Sequence, residues 1–273
     1  FISFVGLVSE IEPWGIHSAT MRVMSSSVKV ATWNTKQGVA PRQKEDVLWN
    51  WIQNTIDADI IVLTEAKAPK AGFPAGWTGV WVPGGVGKGR PWGTVIAAKD
   101  LDLQTCEFKR RKSKLDEDQP NPVTSFAVDV FRNDEYLLTV YGHYGLMLNN
   151  MDGFDALSSA YNELQDIIRE QGPDRLICAG DFNLWPNDVT GWFKNLDMLS
   201  VTNMRKDFPV LRDPEWGSRI WTHKNGAKHT DGARQELDFI FVSEELSDEV
   251  TTVGGGINEL APALCCAGVL AWL

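Results

Sequence analysis

The chain has 273 residues, 43% of them hydrophobic with 12 Trp and 12 Phe, enough apolar material to bury one large core. Its formal charge of −10 excludes a surface that grips polyanions tightly and without sequence preference, because such binders are basic. The four cysteines, Cys106, Cys178, Cys265 and Cys266, form no CxxC pair and have no zinc-type spacing, so reduced thiols and a cytoplasmic location are the expectation.

The start, Phe1 to Val8, is apolar but lacks a preceding basic residue and runs into Glu10 and Glu12. It fits neither a signal peptide nor a bilayer span. Residues 1–23 are expected to lie outside the fold, with Met24 opening a single domain over 24–273. Val28 to Asn34 reads as a strand ending in Asn. Arg42 to Ile56 reads as a helix, with Val47, Leu48, Trp51, Ile52 and Ile56 at helical spacing. Ile60 to Glu65 is an apolar run ending in Glu, and Pro69 to Gly93 is loop with a short strand near Trp81. Thr94 to Lys99, Thr124 to Val130 and Glu135 to Tyr141 read as strands, the last two joined at Arg132-Asn133-Asp134 by a hairpin-type turn. The basic run Lys109 to Lys114 reads as a solvated loop.

Phe154 to Glu170 reads as a long amphipathic helix stopped by Gln171-Gly172-Pro173. Leu176 to Asp181 is a buried strand, in which Cys178 packs as a small hydrophobe. A shorter helix over 191–196 and a loop-rich stretch lead to Glu236, after which Leu237 to Val242 is a strand carrying Asp238 near its start. Strands in pairs, separated by helices, imply an α/β fold of two sheets packed face to face with helices outside.

Five of these strands each deliver one hydrophilic side chain at an end: Asn34, Glu65, His143, Asp181 with Asn183 two positions on, and Asp238. Asp and Asn after a strand often serve only as turn formers. Five apolar strands each ending in a group suited to a metal or a phosphate point instead to one shared site.

The ordered set Trp33-Asn34, the strand ending in Glu65, Gly142-His143, Gly180-Asp181-Phe182-Asn183 and Leu237-Asp238-Phe239-Ile240 resembles the endonuclease/exonuclease/phosphatase superfamily over residues 28 to 243. That superfamily includes pancreatic-type deoxyribonuclease, apurinic endonucleases, neutral sphingomyelinases and inositol-phosphate phosphatases. The resemblance implies a four-layer α/β sandwich of two mixed sheets flanked by helices, and divalent-metal hydrolysis of a phosphodiester or phosphomonoester. It implies Mg²⁺ or Mn²⁺ at Glu65 and Asn34, since such ions are held by one or two carboxylates plus substrate phosphate. Asp181 would activate the attacking water, and Asn183 and Asn34 would hold the phosphate. His143 would donate to a phosphoryl oxygen, and Asp238 would orient a second His. His at position 143, where apurinic endonucleases have Tyr, leans away from abasic-site repair. Thr222 before His223 fits the pattern, whereas His223 and His229 read as solvent-facing.

The sequence departs from the family at its end. The family's last strand is preceded by Ser-Asp-His, but the four His here are at 17, 143, 223 and 229, and none follows Asp238. Leu246-Ser247-Asp248-Glu249 mimics that motif too soon after Asp238 to return across the sheet. The resemblance would place Ser-Asp-His near residues 260–263. The apolar tail there can form a last strand but cannot supply the imidazole, so the expectation is a slowed phosphoesterase, acting as a monomer on a phosphoester that includes nucleic acid among the candidates. The alternative is a non-catalytic phosphate- or protein-binding member of the same fold.

Overall fold

The computed structural model describes residues 27–35, 42–83, 92–107, 125–145, 153–172, 174–184, 191–200, 223–224, 234–235, 237–250, 252–257 and 267–272. In chain order these form β1 (Lys29–Asn34), α1 (Arg42–Trp51), a π-helical turn (Ile52–Ile56), β2 (Ile60–Lys67), β3 (Trp77–Pro83), β4 (Trp92–Lys99), β5 (Asp102–Thr105), β6 (Phe126–Arg132) and β7 (Glu135–Tyr144). Then follow α2 (Gly153–Gln171), β8 (Leu176–Asp181), a turn of helix α3 over 191–194, β9 (Met198–Ser200), β10 (His223–Lys224), β11 (Arg234–Gln235), β12 (Asp238–Ser243), α4 (Glu244–Ser247), β13 (Thr252–Ile257) and β14 (Ala267–Trp272).

Twelve strands make two six-stranded sheets, in the orders β13-β14-β1-β2-β4-β3 and β5-β6-β7-β8-β12-β9; β10 and β11 pair separately. Each large sheet has one parallel pair at its centre, β1 with β2 and β7 with β8, and antiparallel neighbours elsewhere. Parallel neighbours need a crossover, and helices supply it here: α1 between β1 and β2, α2 between β7 and β8. The carboxyl ends of both central pairs therefore lie at the same kind of edge, where open α/β sheets place ligands.

Period-two alternation sorts the side chains into layers. Val28, Val30, Ile60, Val62 and Ile96 from one sheet meet Phe126, Val128, Val140, Ile177, Ala179 and Ile240 from the other in the central core. The alternate positions face outward. Ala31, Trp33, Ile61 and Leu63 pack on Leu48, Trp49 and Ile52 of the first helical segment. Tyr141, Cys178, Phe239 and Phe241 pack on Ala160, Leu164 and Ile167 of α2. The result is the expected four-layer sandwich. Cys178 is fully buried, and burial pushes its thiol pKa well up, which keeps it an inert apolar filler.

Several elements differ from their sequence reading in instructive ways. The first helix ends as α at Trp51 and continues to Ile56 as a wider π turn, closed by Asp57 in the left-handed region at φ 50°. The strand read near Trp81 spans seven residues, and the edge strands β5, β9 and β13, too short or too Gly-rich to read, complete the sheets. The hairpin between β6 and β7 turns on Asn133 and Asp134, both at positive φ (52° and 66°), as a two-residue turn that continues the strand twist demands. Gly172, at φ 54°, donates its N–H to Ile168 O and terminates α2 as its sequence position suggested. The apolar tail does form a strand: β14 lies between β13 and β1, with Asn34 opposite Ala267. The expected extension 1–23, the run Lys109 to Lys114, Thr222, His229, Cys265, Cys266 and the segment 260–263 lie outside the described residues.

One close approach between strands fixes the geometry of the central parallel pair of the second sheet. Gly180 sits at φ 150°, and a Cβ there would lie 1.8 Å from His143 O, inside the backbone of β7. Gly180→Ala must therefore part β7 from β8 or strain both, and it should destabilise the fold by on the order of 3 kcal/mol, measured by chemical denaturation. A variant as stable as the parent would contradict this packing.

Candidate active site

Glu65 reaches the site through a fault in the sheet. Along β2, Ile60 and Val62 face the central core while Ile61 and Leu63 face α1, so strict alternation would send Glu65 outward with Leu63. Between Leu63 and Ala66 the register against β4 slips by one residue: Leu63 lies opposite Val95 and Ala66 opposite Gly93. This β-bulge and the φ of 49° at Glu65 turn the carboxylate inward. A non-Gly residue in that region is strained, and neighbours hold it there. Thr35 N–H and Oγ1 both donate to Thr64 O (2.9 and 3.1 Å), and Oγ1 also reaches Glu65 O at 2.9 Å. From the other side Trp81 Nε1 donates to Ala66 O at 3.0 Å. Gly93, opposite Ala66 just past the bulge, also lets β3 approach closely, since any Cβ there would lie 1.9 Å from Val82 O.

The inward-turned Glu65 meets residues from both sheets. Asn34 Nδ2, at the end of β1, donates to Glu65 Oε1 at 3.3 Å and to Asp181 Oδ2, at the end of β8, at 2.6 Å. Tyr144 O–H donates to the same Glu65 oxygen at 3.0 Å, with its ring set edge-on to Trp92 at 5.3 Å. Asp238 opens β12 directly opposite Asp181 in the antiparallel ladder, with Ile240 and Val242 of the same strand facing the central core, and is 2% exposed. Asn183 follows Asp181 in a turn at φ 52°. Its N–H donates to Asp181 Oδ1 at 2.8 Å and its Nδ2 to Gly145 O at 2.7 Å.

Burial and the neighbouring Glu65 charge together raise the Asp181 pKa to about 7, against the lowering bonds from Asn183 and Asn34. Two carboxylates facing one amide in a buried site repel each other, and that repulsion is what a divalent cation relieves. The donors are hard oxygens, as Mg²⁺ or Mn²⁺ prefers. Among the described residues no group of three or more His, Cys, Asp or Glu gathers. Glu65 and Asn34, with Asp181 beside them, supply few protein ligands, so an ion there would have to complete its shell with water and substrate oxygens.

His143 stands apart from the other sequence-derived candidates. The two-residue period that sends Gly142 and Tyr144 toward the central core sends His143 to the opposite face, where its ring lies 4.6 Å from Phe182 and its Nδ1 lies 2.8 Å from Ser125 Oγ. It is 1% exposed, and burial lowers its pKa to about 3, so the ring is neutral. The residue that bonds Glu65 is its neighbour Tyr144, which counting in twos from Val140 would have found. Thr35 and Trp81 carry no comparable signal, because their importance follows from the bulge. For His223 only the backbone, in β10, is described. Glu249, in the apparent Ser-Asp mimic, pairs with Arg175 at the far end of β8 and β12 from Asp181, so that segment is remote from the site.

The solved structures similar to this chain share its fold at low identity. A humanized TDP2 of D. rerio matches with TM-score 0.62 and 14% identity, covering 91% of this chain and 99% of that one. An AP endonuclease from Archaeoglobus fulgidus matches with TM-score 0.61 and 16% identity, covering 89% and 98%. The 3′ phosphatase NExo from Neisseria, bound to a product DNA hairpin, matches with TM-score 0.60 and 18% identity, covering 89% and 98%. No curated protein sequence matches the chain. The sequence profile of one family matches residues 31–257, which include all six candidate residues. The chain belongs to the Endonuclease/Exonuclease/phosphatase family.

Proposed function

We propose that the chain hydrolyses a phosphoester with Mg²⁺ or Mn²⁺ held at Glu65 and Asn34. The observation that carries this reading is the single amide of Asn34 bonded to two carboxylates, Glu65 and Asp181, that lie far apart in sequence and on different sheets. Family members and structural neighbours that are nucleases and phosphatases support the reaction class.

The ion, when bound, would polarise a phosphoryl oxygen and neutralise charge as it builds. Glu65 supplies the anionic ligand, and Tyr144 and Asn34 fix one of its oxygens so that the other stays available. Asp181 is placed to take a proton from the attacking water. In the metal-free protein, burial and the Glu65 charge hold its pKa up to about 7, and a cation beside it would favour the carboxylate form that takes the proton, while the bonds from Asn34 and Asn183 keep one lone pair of each oxygen occupied. Asn183 holds the edge of the site through Gly145 and would fix phosphate or water there. Asp238 lines the buried floor beside Asp181. No His follows Asp238 in these 273 residues. The imidazole that the family pattern pairs with it is missing from that stretch, which favours slow turnover and keeps a non-catalytic phosphate-binding role as the second reading.

Hydrolysis of bis-p-nitrophenyl phosphate separates the two: Mg²⁺- or Mn²⁺-dependent turnover abolished by EDTA supports the enzyme, and none at any metal concentration supports the binder. DNA, RNA, sphingomyelin and inositol phosphates then rank the substrates. Glu65→Gln preserves size but removes the anionic ligand. It should cut metal-dependent turnover by about 100-fold or more and erase the rise in thermal midpoint that Mg²⁺ gives the parent. A parent midpoint that ignores Mg²⁺ would count against the metal site.

The two perturbed buried groups also oppose each other in the metal-free protein. His143, lowered from 6.5 to about 3, contributes stability that is fully present above pH 6.5 and is lost as pH falls toward 3, because only the unfolded chain takes up the proton. Asp181, raised from 3.8 to about 7, contributes stability that is fully present below pH 3.8 and is lost as pH rises toward 7. Asp181→Asn removes the second effect alone. In EDTA, urea denaturation should show the stability of the variant relative to the parent rising with pH between about 4 and 6.5, by at most about 1.4 kcal/mol per pH unit. Parallel profiles would show that Asp181 is not proton-bound in this range.

A further inference from the structure

Behind the site, on the outer face of the second sheet, four polar side chains run in line from α2 to the ring of His143. Tyr141 O–H donates to Glu163 Oε2 at 2.6 Å. The Ser125 hydroxyl is the other hydrogen-bond partner of Tyr141. Ser125 Oγ in turn lies 2.8 Å from His143 Nδ1. All four are sealed from solvent, with exposures of 2% for Glu163, 0% for Tyr141 and 1% each for Ser125 and His143. A carboxylate kept on the core face of an amphipathic helix is costly unless its bonds serve some end. The phosphoester chemistry described above uses none of Glu163, Tyr141 or Ser125.

Each hydroxyl in this line carries one proton, so the direction of the bonds is constrained. Tyr141 gives its proton to Glu163, and its oxygen is left as an acceptor. Ser125 gives its proton to Tyr141, and its oxygen is left as an acceptor in turn. The last bond forms only if Nδ1 of His143 carries a proton, because a bare Nδ1 facing a bare lone pair would repel it. In a neutral imidazole one ring nitrogen holds the proton, and the partner of that nitrogen decides which. The other nitrogen, Nε2, lies beside Gly145, where an added Cβ would come within 3.5 Å of it; Gly145 O is the acceptor of Asn183 Nδ2.

We propose that Glu163, acting through Tyr141 and Ser125, locks His143 in the Nδ1–H tautomer, so that Nε2 faces the Gly145–Asn183 edge as a hydrogen-bond acceptor. This reverses the sequence-based expectation that His143 donates to a phosphoryl oxygen. On the phosphoesterase reading, which this last step assumes, Nε2 would accept a hydrogen bond behind the turn that carries Asn183 and so help to position that turn, rather than donate to a phosphoryl oxygen. Glu163, Tyr141 and Ser125 are then positioning residues, acting through His143 without touching substrate. Burial keeps the ring neutral, so a tautomer, and not a charge, is what the line controls.

The test is long-range ¹H–¹⁵N correlation of the histidine ring in ¹⁵N-labelled protein, with His143 assigned by its loss in His143→Asn. The parent should show the proton on Nδ1 and the bare-nitrogen signature at Nε2. Tyr141→Phe removes the acceptor of the Ser125 proton; Ser125 then donates to Nδ1 and the signatures should exchange. In the same variant phosphodiester turnover should fall at least about tenfold, while the Mg²⁺-induced rise in thermal midpoint stays as in the parent. Ser125→Ala, which deletes the last link with little change in volume, should leave a mixture of both tautomers. A parent with Nε2–H, or Nδ1–H retained in whichever of the two variants folds, overturns the proposal. A parent with Nδ1–H and no metal-dependent turnover upholds the tautomer lock and removes only the enzymatic reading.

Discussion

The amide of Asn34 holds two carboxylates that would otherwise repel each other, and the site is arranged around that contact. Glu65 comes from the first sheet and Asp181 from the second, so the bond that satisfies both also pins the two sheets together at one edge. A neutral donor can do this where a lysine would bring a permanent charge and compete with a cation. The supporting features serve the same contact: the bulge that turns Glu65 inward, and Thr35 and Trp81 that hold the bulge carbonyls.

The two faces of the second sheet divide the electrostatic work. Toward the central layer, Asp181 lies opposite Asp238 in the ladder and shares the Asn34 amide with Glu65, and the Glu65 charge helps to raise the Asp181 pKa. Toward α2, His143 is buried and neutral among Phe182, Tyr141 and Ser125. Only one residue separates the two environments along β7, because alternate side chains leave a strand on opposite faces. Gly180 and Gly145 allow the strands and the turn to close around that boundary: a Cβ at either would meet backbone, of His143 and Phe182 respectively.

Which parts of this were legible in the sequence follows from what each part depends on. Apolar strands ending in Asn34, Glu65 and Asp181 announce a shared site because burial and polarity are local properties of a short segment. The four-layer architecture follows from the order of those segments. The aim of a side chain is less local. Glu65 lies on the wrong face by alternation, and only a bulge set by pairing with β4 corrects it. His143 looked like the residue facing the phosphate, yet Tyr144 holds the position beside Glu65, a difference of one residue that reverses the face. The π turn after Trp51 keeps a helical pattern of apolar residues and so reads as ordinary helix. The line from Glu163 to His143 joins residues from a helix and two strands, and no spacing along the chain displays it.

The tail shows the same separation between fold and chemistry. Ala267 to Trp272 supplies the apolar, strand-forming character needed to sit beside β1, and this strand carries none of the polar groups that the site uses. The proposed chemistry depends on the carboxylates and the amide, and locating the ion itself tests it most directly. Mn²⁺ added in substoichiometric amounts to ¹⁵N-labelled protein broadens amide resonances near the place where it binds. The signals of Asn34, Glu65 and Asp181 should be lost first, with those of Asp57 and Asp59 at the opposite end of the first sheet unaffected, and Glu65→Gln should show no selective loss. Selective broadening elsewhere, or an unchanged pattern in the variant, would contradict a metal centre at Asn34, Glu65 and Asp181.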